Sequence, residues 1–145
     1  MNEFNGRAAV VAEALTWLKT PYHHEARVKG SGVDCGTLLL EVYEAVGLTP
    51  HINVPHYAHD FHIHRDQEWY KNYVDAHATP TMEPKPGDIT LYRFGRILSH
   101  GAIVIKWPQI IHAYLEAGAV VLDDAEANHG LLRRQAGFWT FWGDR

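Results

Sequence analysis

Apolar positions recur with a helical period in three stretches of this chain and with strand-like density in its last third. Val10, Val11, Ala14, Leu15 and Leu18 mark one face of a helix from Ala8 to Leu18, and Pro21 ends it by disfavouring helix at Thr20. A second helix follows the glycine-punctuated stretch Gly30-Ser-Gly-Val-Asp34. Leu38, Leu39, Val42, Ala45 and Val46 form its stripe, Asp34 is a good N-cap and Gly47 a stop signal. A third, short helix is predicted from Asp66 to His77, with Trp69, Tyr70, Tyr73 and Val74 as its apolar face. The stretch from His51 to Arg65 carries no period. Thr79 to Asp88 contains three prolines and a glycine and reads as a loop.

The period then changes. Ile89–Phe94, Ile97–Ile105, Ile110–Tyr114 and Ala119–Leu122 read as successive strands, and Leu131 to Trp142 carries the last. Helices first and an antiparallel meander second predict an α+β fold, with N-terminal helices packed on an antiparallel sheet. A length of 145 residues predicts a single domain over 1–145.

Composition narrows the function classes. A net charge of -4 gives no reason to expect nucleic acid or an anionic membrane as partner, and no stretch approaches a membrane span. The N-terminal residues lack the basic and apolar regions of a signal peptide, so the expectation is a chain cytoplasmic as synthesised. A single cysteine excludes an internal disulfide. The unusual item is eleven histidines, many of them in the middle third.

The one cysteine, Cys35, falls on the first turn of the second helix. Unpaired N–H groups and the positive end of the macrodipole favour a thiolate there, which is where chemistry would put a nucleophile. A catalytic thiol at a helix terminus is expected to be partly exposed. Two histidines, His100 and His112, fall inside predicted strands among Ile, Val and Ala, where packing gives no reason for them. Either one alone reads as a buried histidine satisfied by backbone. With a helix-terminal cysteine earlier in the chain they fit another logic, a nucleophile, a base and a group that orients the base. If one ring orients the other, both must lie on one face of the sheet. Both numbers are even, so an antiparallel hairpin must have an odd loop, or else a bulge that shifts the register. A rival reading is a metal site in the cluster His51, His56, His59, His62 and His64. Its spacing matches no recognised zinc motif, so no metal or cofactor is expected.

Five motifs in order also resemble a family: Thr20-Pro-Tyr22, Val33-Asp-Cys35, Lys85-Pro-Gly-Asp-Ile89, Ser99-His-Gly-Ala-Ile103 and Ile111-His-Ala113. Together they resemble the NlpC/P60 cysteine peptidases from about Ala8 to Tyr114. Tyr22-His-His24, Lys29-Gly30, Ile111 to Tyr114, Val120-Val121, Arg133-Arg134 and the aromatic end Phe138 to Trp142 resemble the cell-wall peptidases of phage tails and gene transfer agents.

The resemblance implies a papain-like fold and hydrolysis of amide bonds in peptidoglycan stem peptides, with other phage-tail proteins as partners and action in the periplasm or cell wall. By position it implies Cys35 as nucleophile, His100 as base and His112 as third member. Tyr22 is implied as an oxyanion donor, and Asp34 matches the family aspartate. The family usually reads Asp-Cys-Ser-Gly-Leu where this chain reads Asp34-Cys-Gly-Thr-Leu38, so Gly36 removes a side chain from the substrate-binding region. Two alternatives remain open at this point: an inactive structural tail protein, and an amidase or acyltransferase on the same fold.

Overall fold

The computed structural model of the chain describes residues 2–53 and 69–143. Helix α1 spans Glu3–Leu15, five residues before the expected start, because the Asn2 side chain accepts from the Asn5 N–H and caps it. It ends at Leu15, short of Leu18, in a chain of turns closed by Lys19 at a φ of 73°. Strands β1 (Arg27–Val28) and β2 (Gly32–Val33) then form a small antiparallel hairpin that the sequence pattern did not predict. Two-residue strands carry too little alternation to register.

Helix α2 covers Cys35–Ala45 and α3 covers Trp69–His77; the predicted first turn of α3, residues 66–68, lies outside the described residues. Strands β3 (Thr79–Thr81), β4 (Ile89–Phe94), β5 (Ile97–Lys106), β6 (Gln109–Tyr114), β7 (Ala119–Asp124) and β8 (Gln135–Thr140) make one antiparallel sheet in the order β3-β8-β4-β5-β6-β7. A 3-10 turn, Leu115–Ala117, precedes β7, and a one-turn helix α4, His129–Leu132, precedes β8.

Two expectations are corrected here. The proline-bearing stretch begins with β3, which tolerates Pro80 because it is an edge strand paired only to β8. The last predicted strand begins four residues later than Leu131, since Asn128 caps α4 by accepting from the Leu131 N–H.

Helices α1, α2 and α3 pack on the sheet around β5. Val10, Ala14, Leu38, Leu39, Val42, Tyr70 and Val74 bury against Ile89, Leu91, Ile103 and Ile111. Each aliphatic side chain so buried contributes roughly 1.5–3 kcal/mol. The approach is close at Gly101 of β5, where a Cβ would lie 3.0 Å from Tyr70 and 3.1 Å from Leu39 and from Leu91 of the neighbouring strand. Tyr92, Ala102, Ile110, Ala125 and Leu131 form a smaller second cluster.

An ion pair fastens α1 to the start of β4. Arg7 donates to the buried Asp88 at 2.8 Å, to the Pro86 carbonyl at 2.9 Å and to Thr140 Oγ1 at 3.2 Å, and Asp88 also accepts from the Lys85 N–H. Removing the guanidinium would leave a buried carboxylate without its countercharge. Arg7→Ala is therefore expected to destabilise the fold by about 3 kcal/mol or more, read as a lower urea midpoint at unchanged slope.

Candidate active site

The site begins with the start of α2. Asp34, nearly fully buried, accepts from the N–H groups of Gly36 (3.0 Å) and Thr37 (2.9 Å), and its own N–H is taken by Thr37 Oγ1. This is a reciprocal capping box with Thr as the returning side chain. Asp34 Oδ2 also accepts from the Glu25 N–H at 2.8 Å, so the same carboxylate ties the preceding loop to the helix. Cys35 is thereby the first helical residue.

Its thiol donates to the Ser99 carbonyl at 3.6 Å. Ser99 is the extra residue of a β-bulge: Tyr92 pairs with His100 and Arg93 with Leu98, leaving Ser99 unpaired on β4's side. The bulge turns that carbonyl toward the helix start. Cys35, Tyr22, Asp34, Gly36, Ser99 and His100 line one cleft together with Trp69, Tyr70, Tyr114 and Glu116.

The His100 and His112 rings meet, with His100 Nε2 2.8 Å from His112 Nδ1. The register explains how. Ile103 pairs with Ile111 and Val104 with Ile110, even sums that place both histidines on one face. The connecting turn has only two residues, Trp107 and Pro108, and Lys106 pairs with Gln109. A bulge at Ile105 absorbs the odd step, as the parity argument requires when the loop is even. Tyr92, Phe94 and Tyr114 surround His100, with ring centroids 5.7–6.0 Å away, and Tyr114 stacks on His112 at 4.5 Å.

A further residue completes the row, and sequence reasoning missed it. Asp123 Oδ2 lies 3.1 Å from His112 Nε2, accepts from Asn128 Nδ2 at 2.9 Å, and Asp123 Oδ1 accepts from the Asp124 N–H at 2.8 Å. The expected fourth strand stopped at Leu122, one residue short. Alternation along β7 would have found it, since His112 pairs with Val121 and Asp123 shares Val121's face.

Electrostatics in the cleft favour neutral forms of Cys35 and His100. Burial first, and then the Asp34 charge, push the Cys35 thiol up to about 12, although the Tyr70 and Tyr22 hydroxyls and the Gly101 amide beside it pull the other way. Only 7% of Cys35 is exposed, so the expected partly exposed thiol is instead buried. Desolvation outweighs the helix terminus here. Burial, and then His112, hold His100 well below the usual histidine range, against a raising effect of Asp123. Burial, Cys35 and Asp34 push the Tyr22 phenol up, so it stays a donor. Asp123 is lowered to about 2, mainly by its hydrogen bond with His112.

Gly36 has a packing reason. A Cβ there would overlap the Trp69 indole and come within 3.1 Å of the Tyr70 hydroxyl, and Trp69 stacks on Tyr70 at 4.4 Å. The indole occupies the space a side chain at position 36 would take. As for metals, His56, His59, His62 and His64 lie outside the described residues, while His51 bonds to Glu44 at 2.8 Å and Asn53 at 3.1 Å. Among the described residues, Glu41, Glu44 and His51 bring ligand atoms within 4.8 Å of one another, with Arg27 already on Glu41.

Gly36→Ala is expected to destabilise by about 1–3 kcal/mol through overpacking, despite alanine's better helix propensity. Adding Trp69→Ala should restore most of that loss, giving a clear coupling energy in a double-mutant cycle of urea midpoints.

Comparison with known proteins bears on the family and the fold. The NlpC_P60 model, described as the NlpC/P60 family, matches residues 19–133. The NlpC/p60 domain of the peptidoglycan hydrolase SagA superposes with a TM-score of 0.61 at 20% identity, over 92% of this chain and 97% of that one. A lipoprotein-like NLP/P60 protein of Staphylococcus aureus gives 0.69 at 18% identity over 99% of this chain, which spans 43% of it. The peptidoglycan hydrolase RipB of Mycobacterium tuberculosis gives 0.62 at 20% identity, over 97% of this chain and 67% of that one. At these identities the likeness is one of fold, and several of these neighbours are more than twice as long as the matching part. No curated protein matches the sequence. The mixed helix and antiparallel-sheet architecture is that of the papain-like domains, and with the match covering most of its length the chain belongs to the NlpC/P60 family.

Proposed function

We propose that this protein is a cysteine-type endopeptidase that hydrolyses amide bonds in the stem peptides of bacterial peptidoglycan. The observation that carries the reading is the meeting, in one cleft, of a thiol on the first turn of α2 and a histidine whose Nε2 is held by a second histidine. His100 Nε2 is engaged by His112, so Nδ1 is the nitrogen left for the thiol proton. That proton, which Cys35 Sγ donates to the Ser99 carbonyl in the resting site, passes to His100 Nδ1 as Sγ bonds to the substrate carbonyl carbon.

The oxyanion that develops is met by the Cys35 N–H, which the Asp34 cap does not use, and by the Tyr22 hydroxyl, each donor typically worth about 3 kcal/mol. The C–N bond breaks as His100 returns the proton to the leaving amine. Water then adds to the thioester while His100 takes its proton, and collapse releases the acid and the thiol. Asp34 and Gly36 are substrate-facing as well as structural in this reading, and Trp69 and Tyr70 form an aromatic wall for the peptide. No step calls for a metal. The likeness of Tyr22-His-His24, Lys29-Gly30 and Ile111 to Tyr114 to phage-tail and gene-transfer-agent peptidases supports a role at a phage tail, with tail proteins as partners.

Digestion of defined muropeptides with product identification is the test. Cys35→Ala is expected to abolish hydrolysis while leaving the melting temperature nearly unchanged, and chelators should leave the wild-type rate untouched. Activity that survives Cys35→Ala would end the reading, and folded wild-type protein that cleaves no muropeptide would favour a structural tail component. The pH profile carries a sign. Because His100 is held below the usual histidine pKa, it stays a base into acid, and the acid limb of kcat/KM should lie below pH 6.5.

A further inference from the structure

The row of hydrogen bonds does not end at the second histidine. His112 is fully buried, and its two ring nitrogens have different partners, His100 Nε2 at 2.8 Å and the Asp123 carboxylate at 3.1 Å. A carboxylate can only accept. It therefore calls for a proton on His112 Nε2, which leaves His112 Nδ1 with a lone pair when the ring is neutral. That lone pair can only accept, so the proton in the His100–His112 bond sits on His100 Nε2. His100 Nδ1 is then the lone pair, on the side that can take a proton from the cleft.

We propose that Asp123, held in place by Asn128, is a positioning residue that sets the tautomers of both histidines and makes His100 a base at Nδ1. The proposal rests on Cys35 acting as the nucleophile, and it adds a fourth member that touches neither sulfur nor substrate. Without the carboxylate, His112 could equally carry its proton on Nδ1 and donate it to His100 Nε2. His100 would then hold its own proton on Nδ1 and could not deprotonate the thiol. The charge also supports the imidazolium that forms during turnover, a role that a neutral histidine alone fills poorly.

The surroundings leave Asp123 to act without competition among the described residues. Tyr92 and Phe94 of β4 and Tyr114 of β6 face the histidine pair, and burial raises both tyrosine phenols, so neither supplies a charge. The Asp124 carboxylate turns away to the Glu126 and Ala127 N–H groups at 2.9 Å. Glu116 accepts from the Tyr114 hydroxyl at 3.3 Å. On the cleft side are Cys35, Tyr22 and Asp34. Asn128 has its own reason to be where it is, since its Oδ1 caps α4 while its Nδ2 holds Asp123.

Nitrogen NMR of histidine-labelled protein at neutral pH tests this without substrate. The expected result is Nε2–H on both His100 and His112. A proton on His112 Nδ1 in the wild type would overturn the proposal, and this reading needs no variant to fold. Kinetics on muropeptides add the second arm. Asp123→Ala is expected to lower kcat roughly ten- to hundredfold at nearly unchanged KM and to scramble the His112 tautomer, with Asp123→Glu recovering part of the rate. Wild-type kcat and an unaltered tautomer in Asp123→Ala would reduce Asp123 to a turn residue. A failure of the nucleophile reading looks different, because Cys35→Ala would then retain activity while the tautomers stayed as described.

Discussion

The site depends on the 2.8 Å hydrogen bond between His100 and His112, and that bond depends on register. In an antiparallel pair a slip of one residue would send one ring to the other face of the sheet. The turn between β5 and β6 has an even number of residues, which by itself gives the wrong parity. The bulge at Ile105 corrects it. A second bulge, at Ser99, turns a carbonyl toward the thiol of Cys35. Both irregularities lie on one strand, on either side of Gly101, against which Tyr70 and Leu39 pack closely. The strand that carries the base is shaped by its departures from regular pairing.

Much of this was legible in the residues. Asp34 before Cys35 and an apolar stripe one turn later identify a helix start carrying a thiol. His100 and His112 stand out because strands packed with Ile and Val give a histidine no reason to be there. The alternation of the last third gives the meander. What was not legible follows from the same physics. β1 and β2 are too short to show a period. β3 contains Pro80, which reads as a loop unless its edge position is known. Asp123 follows the apolar part of its strand, and only the register against β6 places it beside His112. Cys35 shares its cleft with Tyr22 and with Trp69 and Tyr70 of α3, contributed by separate stretches of chain, so the helix-terminus argument alone missed the desolvation that raises the thiol pKa.

That charge state shapes the chemistry. Burial drives the thiol and His100 both toward neutrality, which favours a thiol and an imidazole over an ion pair. The proton on Cys35 is committed to the Ser99 carbonyl, and transfer to His100 must replace that bond. Asp123 opposes the bias at the far end of the row. Trp69 lines the cleft, and Gly36 leaves its indole the room it occupies.

The central claim is that Cys35 becomes covalently acylated with His100 as its base. Acid-quenched intact-mass analysis during turnover of a defined muropeptide tests it most directly. The account predicts a transient adduct with the mass of the acyl fragment, mapped to the peptide containing Cys35 and discharged by hydroxylamine as a thioester should be. Steady hydrolysis with no adduct, and with Cys35 free to react with thiol reagents at every stage, would contradict it.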